Sequence, residues 1–140
     1  MSHEPKEINK ILHHLKTTPF VIGSRYIPGG RCGMKGWRLF CSYFGNKFCK
    51  FIFNTDCNEF TTSYRGFNLK ELGDFHLKNV TSKGYSFLME TVYIINNKGI
   101  NIKQIPIDFK ERGRGNSKIP KIELYRTFFN ILRLKFKSKK

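Results

Sequence analysis

A chain of 140 residues with 26 Lys and Arg against 10 Asp and Glu carries a formal charge of +16. That length fits one domain, and 39% hydrophobic residues, with 14 Phe among them, supply a core and exclude the disordered class. No run approaches the roughly 18 consecutive apolar residues of a membrane span, and MSHEPKEINK lacks the apolar stretch of a secretory signal. The expectation is a small cytosolic domain whose positive field attracts phosphate, nucleic acid or an anionic membrane face.

Residues 4–16 predict an amphipathic helix. Ile8, Ile11, Leu12 and Leu15 recur at helical spacing, Pro5 stands near the first turn, Ser2 is a candidate cap, and His13 and His14 close the helix at its surface end. Phe20, Val21 and Ile22 form a short apolar run that stops at Gly23, the pattern of a buried strand. A Gly-rich loop, GSRYIPGGRCG, follows over 23–33. Residues 36–53 return to helical spacing, with Leu39, Phe40, Tyr43, Phe44, Phe48, Phe51 and Ile52 as the apolar face. The polar stretch 54–68 predicts a loop, and Leu69 to Leu72 a short helix.

Tyr85 to Asn96 predict a strong helix that ends at Asn97-Lys98-Gly99. Residues 100–109, INIKQIPIDF, alternate imperfectly, and Pro106 cannot donate a ladder hydrogen bond, so they predict an edge or bulged strand. A very basic loop occupies 110–118. The last helix, Lys121 to about Phe136, puts Ile122, Tyr125, Phe129, Leu132 and Phe136 on one stripe, widened by Leu124, Phe128 and Ile131. The order helix, strand, helix, helix, strand, helix is an α/β pattern.

Cys32, Cys41, Cys49 and Cys57 lie nine, eight and eight residues apart, which matches no zinc pattern and predicts reduced thiols, most of them simply packed. The charge is concentrated: from Arg112 to Lys140 there are ten Lys or Arg and one acid, Glu123, a net of +9. A helix with a wide aromatic face and basic flanks suits a bilayer interface. It equally suits a helix docked on the core with a basic outer face, because amphipathicity does not tell core from lipid.

Arg25, Arg38, Arg65, Arg112, Arg114 and Lys118 recur in loops or at element ends beside Gly and Ser. Arginine offers a planar fork that matches phosphate oxygens, and glycine lets backbone N–H groups approach them. Glu59, Glu90, Asp108 and Glu111 are the acids near these elements, and no spacing among them specifies a metal site or an acid/base couple.

These residues fall in ordered motifs: SHEP at 2–5, VIGSRYIPGG at 21–30, Trp37 and Arg38 with Ser42, TTSYRGF at 61–67, GYSFLMETVY at 84–93 and IKQIPIDFKERGRGNSK at 102–118. In that order they resemble the C-terminal half of family 2 glycosyltransferases of the dolichol-phosphate mannose synthase type, which include bacterial polyprenyl-phosphate sugar transferases. The resemblance implies an incomplete Rossmann-like sheet, its C-terminal portion, with a basic amphipathic C-terminal helix. It divides the chain into an acceptor-side catalytic half at 1–118 and an interfacial helix and tail at 119–140.

By the resemblance, Arg25, Arg38 and Ser42 contact the phosphate of a polyprenyl acceptor, Arg112 reaches the phosphates, and Ser117 and Lys118 complete that loop. Arg65 and Glu90 match positions near the acceptor site and are given structural or secondary roles. The implied reaction is attack of a polyprenyl phosphate oxygen on the anomeric carbon of a nucleotide sugar, with inversion. Positioned arginines would supply most of the catalysis, at the cytoplasmic face of a membrane.

Three departures bear on activity. The family's nucleotide-binding half and its Asp-x-Asp motif precede the SH-x-P segment, and this chain starts with Met1 where that motif has just ended. Mg²⁺ or Mn²⁺ is implied for the complete enzyme, but Ser2 stands where some relatives have a metal-coordinating glutamine and cannot replace two carboxylates. Tyr43 stands where many relatives have a second arginine. The expectation is therefore an acceptor-side half that is inactive alone. A basic nucleic-acid-binding module, lacking any RNP, KH or zinc signature, and a membrane-surface adaptor are the alternatives.

Overall fold

The computed structural model describes residues 7–110 and 121–137, and within the last helix the side chains of 125–136. Its centre is β1 (Phe20–Ser24), five residues that are all buried. Strand side chains alternate between faces, so burial on both sides demands a run such as FVIGS with no polar face. On one edge β1 pairs antiparallel with β3 (Arg65–Phe67), Phe20 opposite Phe67 and Ile22 opposite Arg65. On the other it pairs in parallel with β4 (Ile102–Pro106), from Phe20 opposite Ile102 to Ser24 opposite Pro106. A second, two-stranded parallel sheet joins β2 (Arg31–Cys32) to β5 (Asp108–Phe109). Ile107 stitches the sheets together: its N–H donates to Ser24 O at 3.1 Å and its carbonyl accepts from Arg31 N–H at 2.9 Å.

The helices are α1 (Ile8–His14), α2 (Gly36–Phe53), α3 (Tyr85–Asn97) and α4 (Lys121–Lys137). Phe20 and Ile22 point into the main core with Cys49 and Phe53 of α2, Met89, Val92, Tyr93 and Ile95 of α3, and Ile131 of α4. Val21, on the opposite face, packs with Ile105, Ile107, Ile11 and the half-buried Leu15 under α1. Gly66 permits that second layer, because a Cβ there would lie 2.5 Å from Ile11 Cγ2 and 2.6 Å from Leu15 Cδ1. The architecture is α/β with a small mixed sheet and, among the described residues, four α-helices.

Several expectations are corrected. The segment 54–68 is not all loop: three residues, too few to show an alternating pattern, make the edge strand β3. Leu69 to Leu72 form turns instead of a helix. The Gly-rich stretch 23–33 contains β2, and the strand expected over 100–109 is broken at Ile107 into β4 and β5. The apolar stripe of α1 is divided, with Ile11 buried while Ile8 and Leu12 are exposed. The His13–His14 end, α3 and the extent of α4 match expectation; Ser2 and Pro5 lie outside the described residues. Helix α2 ends where Asn54 turns left-handed, φ 49°, and its N–H closes on the Lys50 and Phe51 carbonyls.

The larger correction concerns which faces are covered. On α2 the buried residues are Asn46, Cys49 and Phe53, while Phe40, Tyr43, Phe44 and Phe51 of the expected apolar face are exposed. On α4, Thr127 and Ile131 are buried against α2 and α3, and the expected stripe Tyr125, Phe129 and Phe136 faces outward. Both helices are apolar on more than one side, and the core has room for only one.

Candidate phosphate-binding site

Arg25 follows directly on β1, so the buried strand delivers its guanidinium to the strand's C-terminal end. There it meets Glu59, which is completely buried. Arg25 Nε donates to Glu59 Oε2 at 2.7 Å and Nη2 donates to Oε1 at 2.8 Å, a two-pronged pair, and Nη2 also reaches Thr61 Oγ1 at 2.7 Å. Glu59 further accepts from the N–H groups of Thr61 at 3.1 Å and Thr62 at 3.2 Å. Burial works against the Arg25 charge, but the hydrogen bond and the charge of Glu59 outweigh it and raise its pKa above the ordinary arginine value. The rings of Tyr26 and Phe109 flank the guanidinium at 5.1 and 5.3 Å. None of the described residues accepts from Nη1.

The turn after Arg25 folds back tightly. A Cβ on Gly30 would lie 2.6 Å from Ser24 O and 2.9 Å from Arg25 O, so the second glycine of the PGG sequence lets the chain close over the end of β1. That return brings Tyr26 to α2, where its hydroxyl donates to Ser42 Oγ at 2.7 Å. Tyr26 also packs edge-on against Tyr43 at 5.8 Å, and its hydroxyl lies 3.8 Å from Cys32 Sγ. Arg38 is one helical turn before Ser42 on the same side of α2 and is exposed. Structure and sequence thus bring Arg25 and Ser42 together through Tyr26, with Arg38 beside Ser42.

Arg65 and Glu90 are placed differently. Arg65 gives Nε to the Thr62 carbonyl, Nη1 to Leu88 O at 2.9 Å and Nη2 to Phe60 O at 3.3 Å, so one side chain ties β3, the 60–62 turn and α3. Burial lowers its pKa to about 10, which leaves it charged at neutral pH. Glu90 on α3 accepts from Ser82 N–H at 2.7 Å and from the Thr81 N–H and hydroxyl at 3.2 Å, holding the segment that enters α3. Arg112, Ser117 and Lys118 lie outside the described residues.

The cysteines are unpaired thiols. Burial pushes Cys49 up to about 12 and Cys57 up to about 11, so neither is a nucleophile at neutral pH. Among the described residues no group of three or more His, Cys, Asp or Glu could hold a metal ion. Glu59, the most deeply buried carboxylate described, is occupied by Arg25 and by backbone N–H groups. These residues do not fit a Mg²⁺ or Mn²⁺ site.

Sequence reasoning missed Tyr26, and it named Glu59 only as a nearby acid without its pairing to Arg25. Tyr26 stands in the GSRY motif itself. Glu59 precedes two threonines whose N–H groups it accepts, a local turn signature, but its pairing with Arg25 spans 34 positions. It also missed an aromatic surface beside the site. On α2, Trp37 stacks on Phe40 at 5.1 Å and Phe40 meets Phe44 tilted at 4.3 Å, with Trp37 67% exposed. Phe48 of α2 stacks on Phe128 of α4 at 5.1 Å, and Phe128 meets Phe129 at 6.0 Å. One group of ring contacts thus lies along the first turns of α2 and a second joins α2 to α4. No described helix is long and apolar enough to cross a membrane.

No family model matches the chain. Among curated proteins it is 31% identical over 132 residues to polyprenol monophosphomannose synthase of Mycolicibacterium smegmatis, covering 93% of this chain and 50% of that protein. It is also 31% identical over 121 residues to undecaprenyl-phosphate mannosyltransferase of Micrococcus luteus, covering 84% of this chain and 49% of that protein. The chain spans about half the length of the curated relatives it matches. Similarity at this level runs along nearly all of the chain, and it fits a family 2 polyprenyl-phosphate sugar transferase.

Proposed function

We propose that these residues form the acceptor side of a polyprenyl-phosphate mannosyltransferase-like catalytic domain, the C-terminal portion of a Rossmann-like fold working at a membrane surface. The observation that carries this reading is the combination on α2. The helix that bears Arg38 and Ser42 presents an exposed ladder of Trp37, Phe40 and Phe44 along its outer side. A polyprenyl phosphate has one anionic end and one long apolar end, and the helix offers a partner for each. The outward stripe of α4, Tyr125, Phe129 and Phe136, extends the apolar surface, and Arg126, Arg133 and Lys135 add positive charge suited to an anionic leaflet.

In the proposed reaction a phosphate oxygen bonds to the anomeric carbon of the sugar. The bond from that carbon to the nucleotide diphosphate breaks, and the nucleotide leaves with the electron pair. The acceptor is already ionised at neutral pH, so no strong base is required. Arg38 supplies the charge that partly neutralises the acceptor, Arg25, its own charge met by Glu59, offers Nη1, from which no described residue accepts, and the Ser42 hydroxyl orients one of the acceptor's oxygens. Arg112, Ser117 and Lys118 are assigned to the same phosphate groups by their motif. The nucleotide sugar and its Mg²⁺ or Mn²⁺ would be bound by residues other than these 140, in the same polypeptide or in another.

The purified 140-residue protein should co-sediment with anionic vesicles, and more strongly when they contain undecaprenyl phosphate than when they contain undecaprenol. It should transfer no label from a GDP- or UDP-hexose. Failure to sediment removes the membrane reading, and labelled lipid made by this chain alone refutes its role as an acceptor side that needs a donor-binding complement.

A further inference from the structure

We infer that Tyr26 is a positioning residue for the acceptor phosphate, acting through Ser42: by donating into Ser42 Oγ it turns the serine's own O–H toward the anion. The inference rests on the acceptor-side reading above. A serine oxygen has one proton to donate and lone pairs to accept with. At 2.7 Å the Tyr26 hydroxyl fills an accepting position of Ser42, and among the described residues none accepts from Ser42 Oγ. The serine proton is therefore available, and its direction is restricted by the tyrosine that feeds it.

Tyr26 is well placed for this task. Its N–H is held by Ser24 Oγ at 3.3 Å, its ring lies beneath Arg25 and its edge meets Tyr43. It thus links the two residues assigned to the phosphate, one at the end of β1 and one on α2. Burial pushes its hydroxyl up to about 12, so it remains a protonated donor across the physiological range. A chain of two hydroxyls ending on an anion is also polarised along its length, which strengthens the terminal bond. A polyprenol, with no charged phosphate at that end, gains little from the relay, so the device discriminates for phosphate.

The test uses the full 140-residue protein with Tyr26→Phe, Ser42→Ala and the double variant. The probe is farnesyl phosphate, with farnesol as the neutral control, measured by calorimetry and by the ³¹P shift of the bound phosphate. Tyr26→Phe keeps the ring and its contacts with Arg25 and Tyr43, and urea midpoints show whether each variant is folded. Ser42→Ala is expected to weaken farnesyl phosphate roughly tenfold, the scale of one hydrogen bond to a charged group. Tyr26→Phe should by itself reproduce a large part of that loss and move the ³¹P signal in the same direction, and the double variant should be no worse than Ser42→Ala alone. Farnesol binding should be unchanged throughout. If Tyr26→Phe binds farnesyl phosphate as the parent does, or if the two losses multiply, Tyr26 does not act through Ser42 and the inference falls alone. If the unsubstituted protein does not prefer farnesyl phosphate to farnesol, the acceptor-side reading falls and takes the inference with it.

Discussion

Glu59→Gln is the sharpest perturbation of the site, because it preserves shape and removes charge. Glu59 is fully buried and accepts the two-pronged guanidinium of Arg25 at 2.7 and 2.8 Å, together with the N–H groups of Thr61 and Thr62. An amide has one acceptor oxygen. If that oxygen keeps the Oε1 partners, Arg25 Nη2 and the two threonine N–H groups, then the new NH₂ confronts Arg25 Nε–H, donor against donor. The guanidinium is left charged, buried and half-paired. Breaking a buried pair from one side costs about 3–5 kcal/mol, a large part of the 5–15 kcal/mol typical of a domain. With a urea slope of about 1.5 kcal/mol per molar, the midpoint followed by far-UV circular dichroism should fall by about 2–3 M. Replacing both partners with apolar residues, Arg25→Met with Glu59→Leu, should give a protein more stable than Glu59→Gln, since no charge is then stranded. A midpoint shift below about 0.5 M for Glu59→Gln, or a double variant that simply adds the two single losses, refutes this account.

Three further outcomes are expected. Arg65→Lys should lower stability by about 2–4 kcal/mol, read in the same urea titration, because an ammonium cannot span the carbonyls of Phe60, Thr62 and Leu88 as the guanidinium does. For Glu90, burial alone would raise the pKa, but the Ser82 and Thr81 hydrogen bonds prevail and lower it. A depressed folded pKa gives stability that is full above the unfolded value near 4.3 and is lost as pH falls through the folded one. Thermal melts of Glu90→Gln should therefore lie below the parent near neutrality and converge with it in acid, and a gap that persists or widens in acid contradicts the assignment. Trp37→Ala with Phe40→Ala and Phe44→Ala should abolish co-sedimentation with anionic vesicles while the urea midpoint moves by less than about 0.5 M, since these rings are exposed in the fold.

What the sequence made legible follows from the range of the interactions involved. β1 and α3 are visible because their burial is written in consecutive or periodic residues: FVI closed by glycine, and YSFLMETVYIINN closed by Lys98 and Gly99. β3 is invisible because Arg65, Gly66 and Phe67 are a strand only by pairing with Val21 and its neighbours, more than forty positions earlier. The same applies to the site. Arg25, Arg38 and Ser42 are named by motif, but nothing local tells that Arg25 is clamped by Glu59 or that Tyr26 reaches Ser42. Glu59 was visible only as a nearby acid, and its partner is fixed by the fold. Local pattern also misjudged α2 and α4, where apolar spacing found the aromatic residues without showing that the core would use a different side of each helix.

That misjudgement has a physical reading. On α2, Asn46, Cys49 and Phe53 satisfy the core, and Asn46 spends its side chain on the Ser42 carbonyl and the Phe60 N–H, at 2.7 Å each. A polar residue so placed locks the helix's rotation about its axis. Once that rotation is set, Trp37, Phe40, Phe44 and Phe51 have to face outward, and Ser42 has to meet Tyr26. The contact of Ser42 with Tyr26 and the exposure of the aromatic ladder are therefore consequences of one constraint. The charge of +16 divides along the same line. Arg25 and Arg65 are turned inward, onto Glu59 and onto carbonyls, and give the site its rigidity, while Arg38 on α2 and Arg126 and Arg133 on α4 are exposed.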